Sequence, residues 1–193
     1  MNPRPLTMSP LDWLMLVGLS VLWGGSFILN KIAVAAVPPL TVALCRVGIA
    51  ALILVGIAAT RRELRTLIAA WPVFLTLGLC NSAVPFALIA WSQTQIGAGL
   101  ASILNATTPL WGSLLAWLWL KDRPDRYRLA GLAVGFAGVL WLAGGNAHFK
   151  ADARGASPGL AVLACLAATL LYGFSANFTK RYLTGVPPMA LAA

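Results

Sequence analysis

Apolar runs separated by short polar clusters divide most of the chain into six stretches, near residues 12–31, 40–59, 71–92, 98–120, 128–145 and 159–179. Each approaches the ~20 apolar residues that a helix rising about 1.5 Å per residue needs to cross ~30 Å of hydrocarbon. A seventh opens after Pro188, and the fifth, from Arg128 to Gly145, is the shortest. The pattern predicts an all-α membrane protein, a helical bundle. The first run imitates a signal peptide, with Arg4 before it and Ala33, Val34 and Ala35 after it. From Trp13 to Leu29 it is too long for a signal-peptide core, and Lys31 precedes the small residues, so this helix is expected to stay.

Composition agrees. The 193 residues are 60% hydrophobic and 10% charged, with mean hydropathy +0.83, against ~45–50% apolar and ~25% charged in soluble domains. A net charge of +9 would raise nucleic acid as the partner of a soluble chain. Here the cations cluster between apolar spans, as in cytoplasmic loops, so the bilayer is the expected partner and nucleic acid is not. With the N-terminus inside, Arg4, the Arg61, Arg62 and Arg65 group, the Lys121, Arg123, Arg126 and Arg128 group, and Lys180 with Arg181 share one face. The other face receives Lys31, Lys150 and Arg154, which predicts a cytoplasmic N-terminus in a cell membrane, the inner membrane of a bacterium. Cys45, Cys80 and Cys165 lie inside apolar spans and read as small buried hydrophobes rather than a disulfide or zinc framework.

An internal repeat carries the most information. Leu22, Trp23, Gly24, Gly25 and Ser26 match Leu171, Tyr172, Gly173, Phe174 and Ser175 at a constant offset of 149 positions. The register continues without gaps, placing Lys31 on Lys180 and Val37, Pro38, Pro39 on Val186, Pro187, Pro188. Five spans separate the copies, and an odd number of crossings inverts the second copy. Inverted repeats are the architecture of secondary transporters, whose halves rock about a site near the midplane. A gene duplication in another kind of membrane protein is the bland alternative.

These residues resemble the EamA-type family of the drug/metabolite transporter superfamily. The resemblance rests on Trp23, Gly24, Ser26 and Phe27; on Arg46; on Ala101, Ser102, Ile103, Leu104 and Asn105 through Pro109; and on Leu118, Trp119 and Leu120 followed by a charged turn, Arg128, Gly131 and Gly138. It implies two inverted five-helix repeats, with 1–149 as the first EamA-like repeat and 150–193 as the start of the second, holding the sixth helix and the beginning of the seventh. It implies an exporter of amino acids or other small metabolites. Asp122 stands where the family often carries Glu, and the chain stops within its seventh helix. The expected natural protein is longer, ~300 residues by the repeat logic, with a basic residue at position 195, where the offset projects Arg46.

Polar groups in hydrocarbon are costly, so those inside spans are the candidate substrate-binding residues. Arg46 lies roughly 10 Å along its helix from Pro39; it fits snorkelling or structural pairing as well as a cavity charge that attracts a carboxylate. Asn81 and Ser82 precede Pro85, and Asn105, Thr107 and Thr108 precede Pro109. A proline frees a carbonyl one turn earlier, which lines a cavity or merely kinks a helix. Trp23 and Tyr172, with Ser26 and Ser175 nearly one turn on, form matched pairs that read as cavity walls or as interface anchors. Lys31 and Lys180 end their helices and read as snorkelling amines. Gly131, Gly135 and Gly138 form a close-packing face.

All five carboxylates, Asp12, Glu63, Asp122, Asp125 and Asp152, lie at span ends or in loops, which leaves proton antiport through a buried acid unsupported. His148 sits in a loop beside Lys150 and Asp152 and reads as solvated. No metal cluster, phosphate loop or nucleophile with a base can be assembled, so no cofactor is expected. The leading expectation is a transporter that exports a small amphipathic metabolite by alternating access. A membrane-embedded enzyme and a non-transporting assembly or receptor subunit are the alternatives, and no motif fixes an oligomeric state.

Overall fold

A computed structural model describes residues 8–61, 64–144, 157–186 and 191, without the side chains of residues 64–66 and 143. Every described element is helical. Expectations that rest on Arg4, Arg62, Glu63, His148, Lys150, Asp152, Arg154 and the opening of a seventh span at Pro188 lie outside the described residues.

Local chemistry sets the helix starts. Helix α1 (Pro10–Ala36) begins with a capping box: the Ser9 hydroxyl accepts from the Asp12 amide at 3.2 Å, and Asp12 accepts from the Ser9 amide at 2.8 Å. Pro39 opens α2 (Pro39–Thr60), because its missing N–H has no partner to lose at that position. A short α3 (Leu64–Ala69) leads into the third span, which is not one helix. It runs as α4 (Trp71–Gly78), a π-turn (Leu79–Ala83) and α5 (Val84–Ser92). In the turn the Val84 amide reaches back five residues to the Leu79 carbonyl, just before Pro85 interrupts the ladder.

The fourth span is likewise divided, into α6 (Ala98–Asn105) and α7 (Thr108–Leu120), where a single helix over 98–120 was expected. Pro109 cannot donate to the Asn105 carbonyl; the Thr108 hydroxyl does so instead, at 2.8 Å. Lys121 ends α7 at φ 58°, a left-handed cap taken by a non-glycine residue. Asp125 then caps α8 (Arg126–Gly144), accepting from the Tyr127 and Arg128 amides at 2.9 and 2.8 Å. Ser157 caps α9 (Pro158–Tyr182).

Helices α1, α2, the 71–92 segment and α9 are each long and apolar enough to cross a membrane. Their outer faces are apolar and uncovered: Leu52 is 80% and Trp141 on α8 88% exposed. Helix α9 occupies the middle, packed against α5, α6 and α7. Ala161, Cys165 and Ala168 repeat on one face, all fully buried, and share the core with Ala101 and Leu104 of α6 and Ile89 of α5. Small residues let the backbones approach, which is how helices associate when lipid is as apolar as they are.

Two sequence expectations change. Of the three cysteines only Cys165 is buried; Cys45 is exposed on the outer face of α2 and Cys80 half-buried. In the glycine face of α8, Gly135 meets Leu110 of α7, whereas a side chain at Gly131 or Gly138 would meet nothing within 4 Å.

Candidate functional site

Both interruptions open onto the same space. A cavity of about 490 Å³ is lined by Asn81, Ser82 and Phe86 at the first break and Asn105, Thr108 and Pro109 at the second, closed by Trp23 of α1 and Tyr172 of α9. Trp23, Phe86, Asn105 and Tyr172 continue into a narrow recess that adds Ser26, Asn30 and Arg46. On the other side of Trp23 and Asn105 lies a further hollow of about 420 Å³ between α1 and the end of α6. Asn105 and Trp23 are therefore the hub on which three adjoining spaces meet.

The electrostatics of this space are unbalanced. Arg46 is half-buried, and its guanidinium carbon sits 4.3 Å from the centre of the Phe86 ring, a cation–π contact that holds the charge beside the recess. Among the described residues, no carboxylate lines the recess or the main cavity. Asn105 is 9% exposed, and its side-chain oxygen Oδ1 has no hydrogen-bond partner among the described residues. A buried acceptor left unmet costs about 1–3 kcal/mol, so it is a place for a ligand donor. The cavity thus offers a cation, an open acceptor and three aromatic walls.

Eight of the nine expected site residues, Trp23, Ser26, Arg46, Asn81, Ser82, Asn105, Thr108 and Tyr172, line these spaces. Ser175 does not. It is 1% exposed, and its hydroxyl donates to the Leu171 carbonyl at 2.9 Å, inside the packing of α9. The 149-residue sequence offset aligns it with Ser26, whose hydroxyl also bonds its own helix but which stays at the recess.

Lys31 also departs from expectation. Instead of reaching for headgroups, its amine donates to the Gln93 carbonyl and, at 3.1 Å, to the Ile96 carbonyl, at the C-terminal end of α5. Carbonyls at a helix end lack intrahelical donors and carry the negative end of the helix dipole, which suits an ammonium group. Alongside, the fully buried Gln93 side chain accepts from the Asn30 amide and donates to the Phe27 carbonyl at 3.0 Å. Asn30 and Gln93 escape a reading of isolated polar residues, since their partners stand more than sixty positions away, and Phe86 escapes it because its partner Arg46 is 40 positions away on another span. Asn30 and Gln93, amides inside or at the edge of apolar spans, were the available signal. Lys180, which lies 149 positions after Lys31, is exposed and only loosely paired with Asp122 at 3.9 Å.

The EamA-like transporter family matches residues 12–144, from the first turn of α1 to the end of α8. The chain belongs to the EamA-like transporter family. An uncharacterized transporter of Bacillus subtilis, YvbV, is 34% identical over 126 residues, 65% of this chain and 41% of that protein. The uncharacterized inner membrane transporter YedA of Escherichia coli is 30% identical over 138 residues, covering 68% and 43%. A protein of Streptantibioticus cattleyicolor named "probable terminal-alkyne amino-acid exporter" is 32% identical over 84 residues, covering 42% and 28%. The chain spans about half the length of such relatives or less. No solved structure matches it. The family points to a multi-pass membrane transporter of small molecules rather than an enzyme.

Proposed function

We propose that this chain contributes the first half of an alternating-access exporter of small amphipathic metabolites, amino acids or close relatives. The observation that carries this reading is the convergence of Arg46, the open acceptor of Asn105 and the rings of Trp23, Phe86 and Tyr172 on one space between two interrupted helices. Arg46 attracts the carboxylate, Asn105 accepts from the ammonium group, and the rings take the apolar part. Asn81, Ser82 and Thr108 complete the polar wall. The name of the Streptantibioticus relative supports an amino-acid-like cargo.

The matched segments at offset 149 support an inverted repeat, with residues 1–149 as one unit and 150–193 opening the next. The basic asymmetry supports a cytoplasmic N-terminus in the cell membrane; a reporter fused after Arg65 then reads cytoplasmic, and an external signal overturns it. The site is tested by efflux from cells loaded with an amino acid or with its methyl ester. The acid should leave faster through the unaltered protein, and Arg46→Leu should lose at least about tenfold of acid efflux while sparing the ester, the magnitude of one charge-assisted contact. Equal loss for acid and ester at unchanged expression removes Arg46 from carboxylate recognition.

A further inference from the structure

The end of the bundle opposite Lys31 carries Lys121, Arg123, Arg126, Arg128, Lys180 and Arg181 and only three described carboxylates, Asp12, Asp122 and Asp125, of which Asp12 is occupied in capping α1. Asp125 is occupied in capping α8. Arg181 lies over Trp119 and Tyr182, 5.3 and 5.5 Å from the ring centres, and Arg126 lies over Tyr127 at 5.1 Å. Asp122 meets Lys180 only across 3.9 Å, and both side chains are largely solvent-exposed. Arg128 has no acidic partner among the described residues, and it lines, together with Lys180 and Asp122, one groove of about 300 Å³ between α7, the start of α8 and α9.

From those two cations the groove runs inward along α7, past Ala116 and Gly112 to Pro109, with Ala176 of α9 opposite. Seven residues of helix give it a depth of about 10 Å. Its walls are small and mostly apolar. Ser113, one turn in from Ala116, is exposed to the groove, and its hydroxyl has no partner among the described residues, whereas Ser102, Thr107 and Thr108 all donate to carbonyls three residues back. Asn177 is unavailable, since its amide donates to the Gly112 and Gly173 carbonyls at 2.9 Å each. The stacked Trp119 and the Tyr182 ring stand at the same level as the cations, as aromatic residues do at a membrane interface.

We propose that this groove binds one anionic phospholipid. Its phosphate lies between Arg128 and Lys180, drawing Lys180 from its loose pair with Asp122; Ser113 donates to a glycerol ester carbonyl; and the first part of an acyl chain follows the small side chains toward Pro109. A soluble phosphate compound would use the mouth alone and leave the apolar slot empty.

The test uses the purified full chain, delipidated and titrated with phosphatidylglycerol or with phosphatidylcholine of the same acyl chains, bound lipid being read by native mass spectrometry. Phosphatidylglycerol should bind more tightly. Arg128→Gln and Lys180→Gln should each weaken it roughly fivefold, the effect of one cation near an anionic headgroup, and leave phosphatidylcholine unchanged. Ser113→Leu, which fills the slot without altering charge, should weaken both lipids. Arg61→Gln, on the same membrane face but outside the groove, should change neither. An effect of Arg61→Gln equal to that of Lys180→Gln would mean diffuse surface charge and overturn the proposal. So would unaltered binding by Ser113→Leu, or complete displacement of the lipid by millimolar inorganic phosphate, which would mark a soluble phosphate site.

Discussion

Asn105 combines burial, a central place and an unmet acceptor, three properties that stability alone does not favour together. Its backbone carbonyl is served by Thr108, so the cost lies in Oδ1 alone. Replacing it by leucine, of similar size and without polar atoms, removes an unsatisfied group worth about 1–3 kcal/mol. Asn105→Leu is therefore expected to raise the thermal midpoint of the purified protein, or leave it unchanged, while efflux of the acid substrate falls at least about tenfold, one lost buried hydrogen bond. A fall in both together would make Asn105 a packing residue instead. The sequence exposed this residue because a polar group beside a proline inside an apolar run has few reasons to be there. It could not expose that Ser175 turns away from the cavity, since a repeat fixes register along a helix and leaves the direction of the face to packing. Nor could it reveal Lys31 binding Gln93 and Ile96, because snorkelling is judged from the helix end alone and these acceptors arrive from another span.

Among the helices, the limits of each span were legible and their interruptions only half so. Pro85 and Pro109 announced disturbance, but not its form: at the first the backbone closes a π-turn through the Val84 amide, and at the second the Thr108 hydroxyl serves the freed Asn105 carbonyl where the helix breaks. Close packing was misplaced for a related reason. The glycines of α8 share a face by spacing, yet the close approach to another helix's backbone falls at Gly173 of α9, where a Cβ would lie 2.8 Å from the Gly112 backbone nitrogen and 2.9 Å from the Trp111 carbonyl carbon. Spacing cannot identify the crossing point of two helices. At Gly135 the added atom would meet the tip of Leu110, which can rotate away. Gly173→Ala is accordingly expected to cost about 1–3 kcal/mol, the range for overpacking, by prising α7 from α9 and disturbing the Asn177 bonds that bridge them. Gly131→Ala, with open space around it, should change nothing. Thermal unfolding in detergent compares the two; equal midpoints would mean that α7 and α9 are free to separate.

Across the whole molecule, the cavity is fastened at one end and loosely held at the other. At the end bearing Lys31, α1 is tied to the end of α5 and the loop after it by the amine on two carbonyls and by the Asn30–Gln93 pair, with Phe27 joining. At the opposite end Lys180, which the 149-residue offset makes the counterpart of Lys31, has a single exposed partner. Exposed ion pairs contribute about 0–1 kcal/mol, whereas hydrogen bonds from a charged donor to partly buried carbonyls contribute about 1.5–3 kcal/mol. Lys31→Met should therefore lower the thermal midpoint clearly and Lys180→Met hardly at all, although the sequence offset aligns the two lysines. The same contrast bears on transport. If the Lys31 tie is what keeps that end of the cavity shut in this arrangement, Lys31→Met should make a cysteine introduced at Ser26 in the recess more reactive toward a membrane-impermeant maleimide added at that face, with Lys180→Met as the control. An unchanged labelling rate, alongside a lowered midpoint, would leave Lys31 a fastening for α1 and place the closure elsewhere in the transporter.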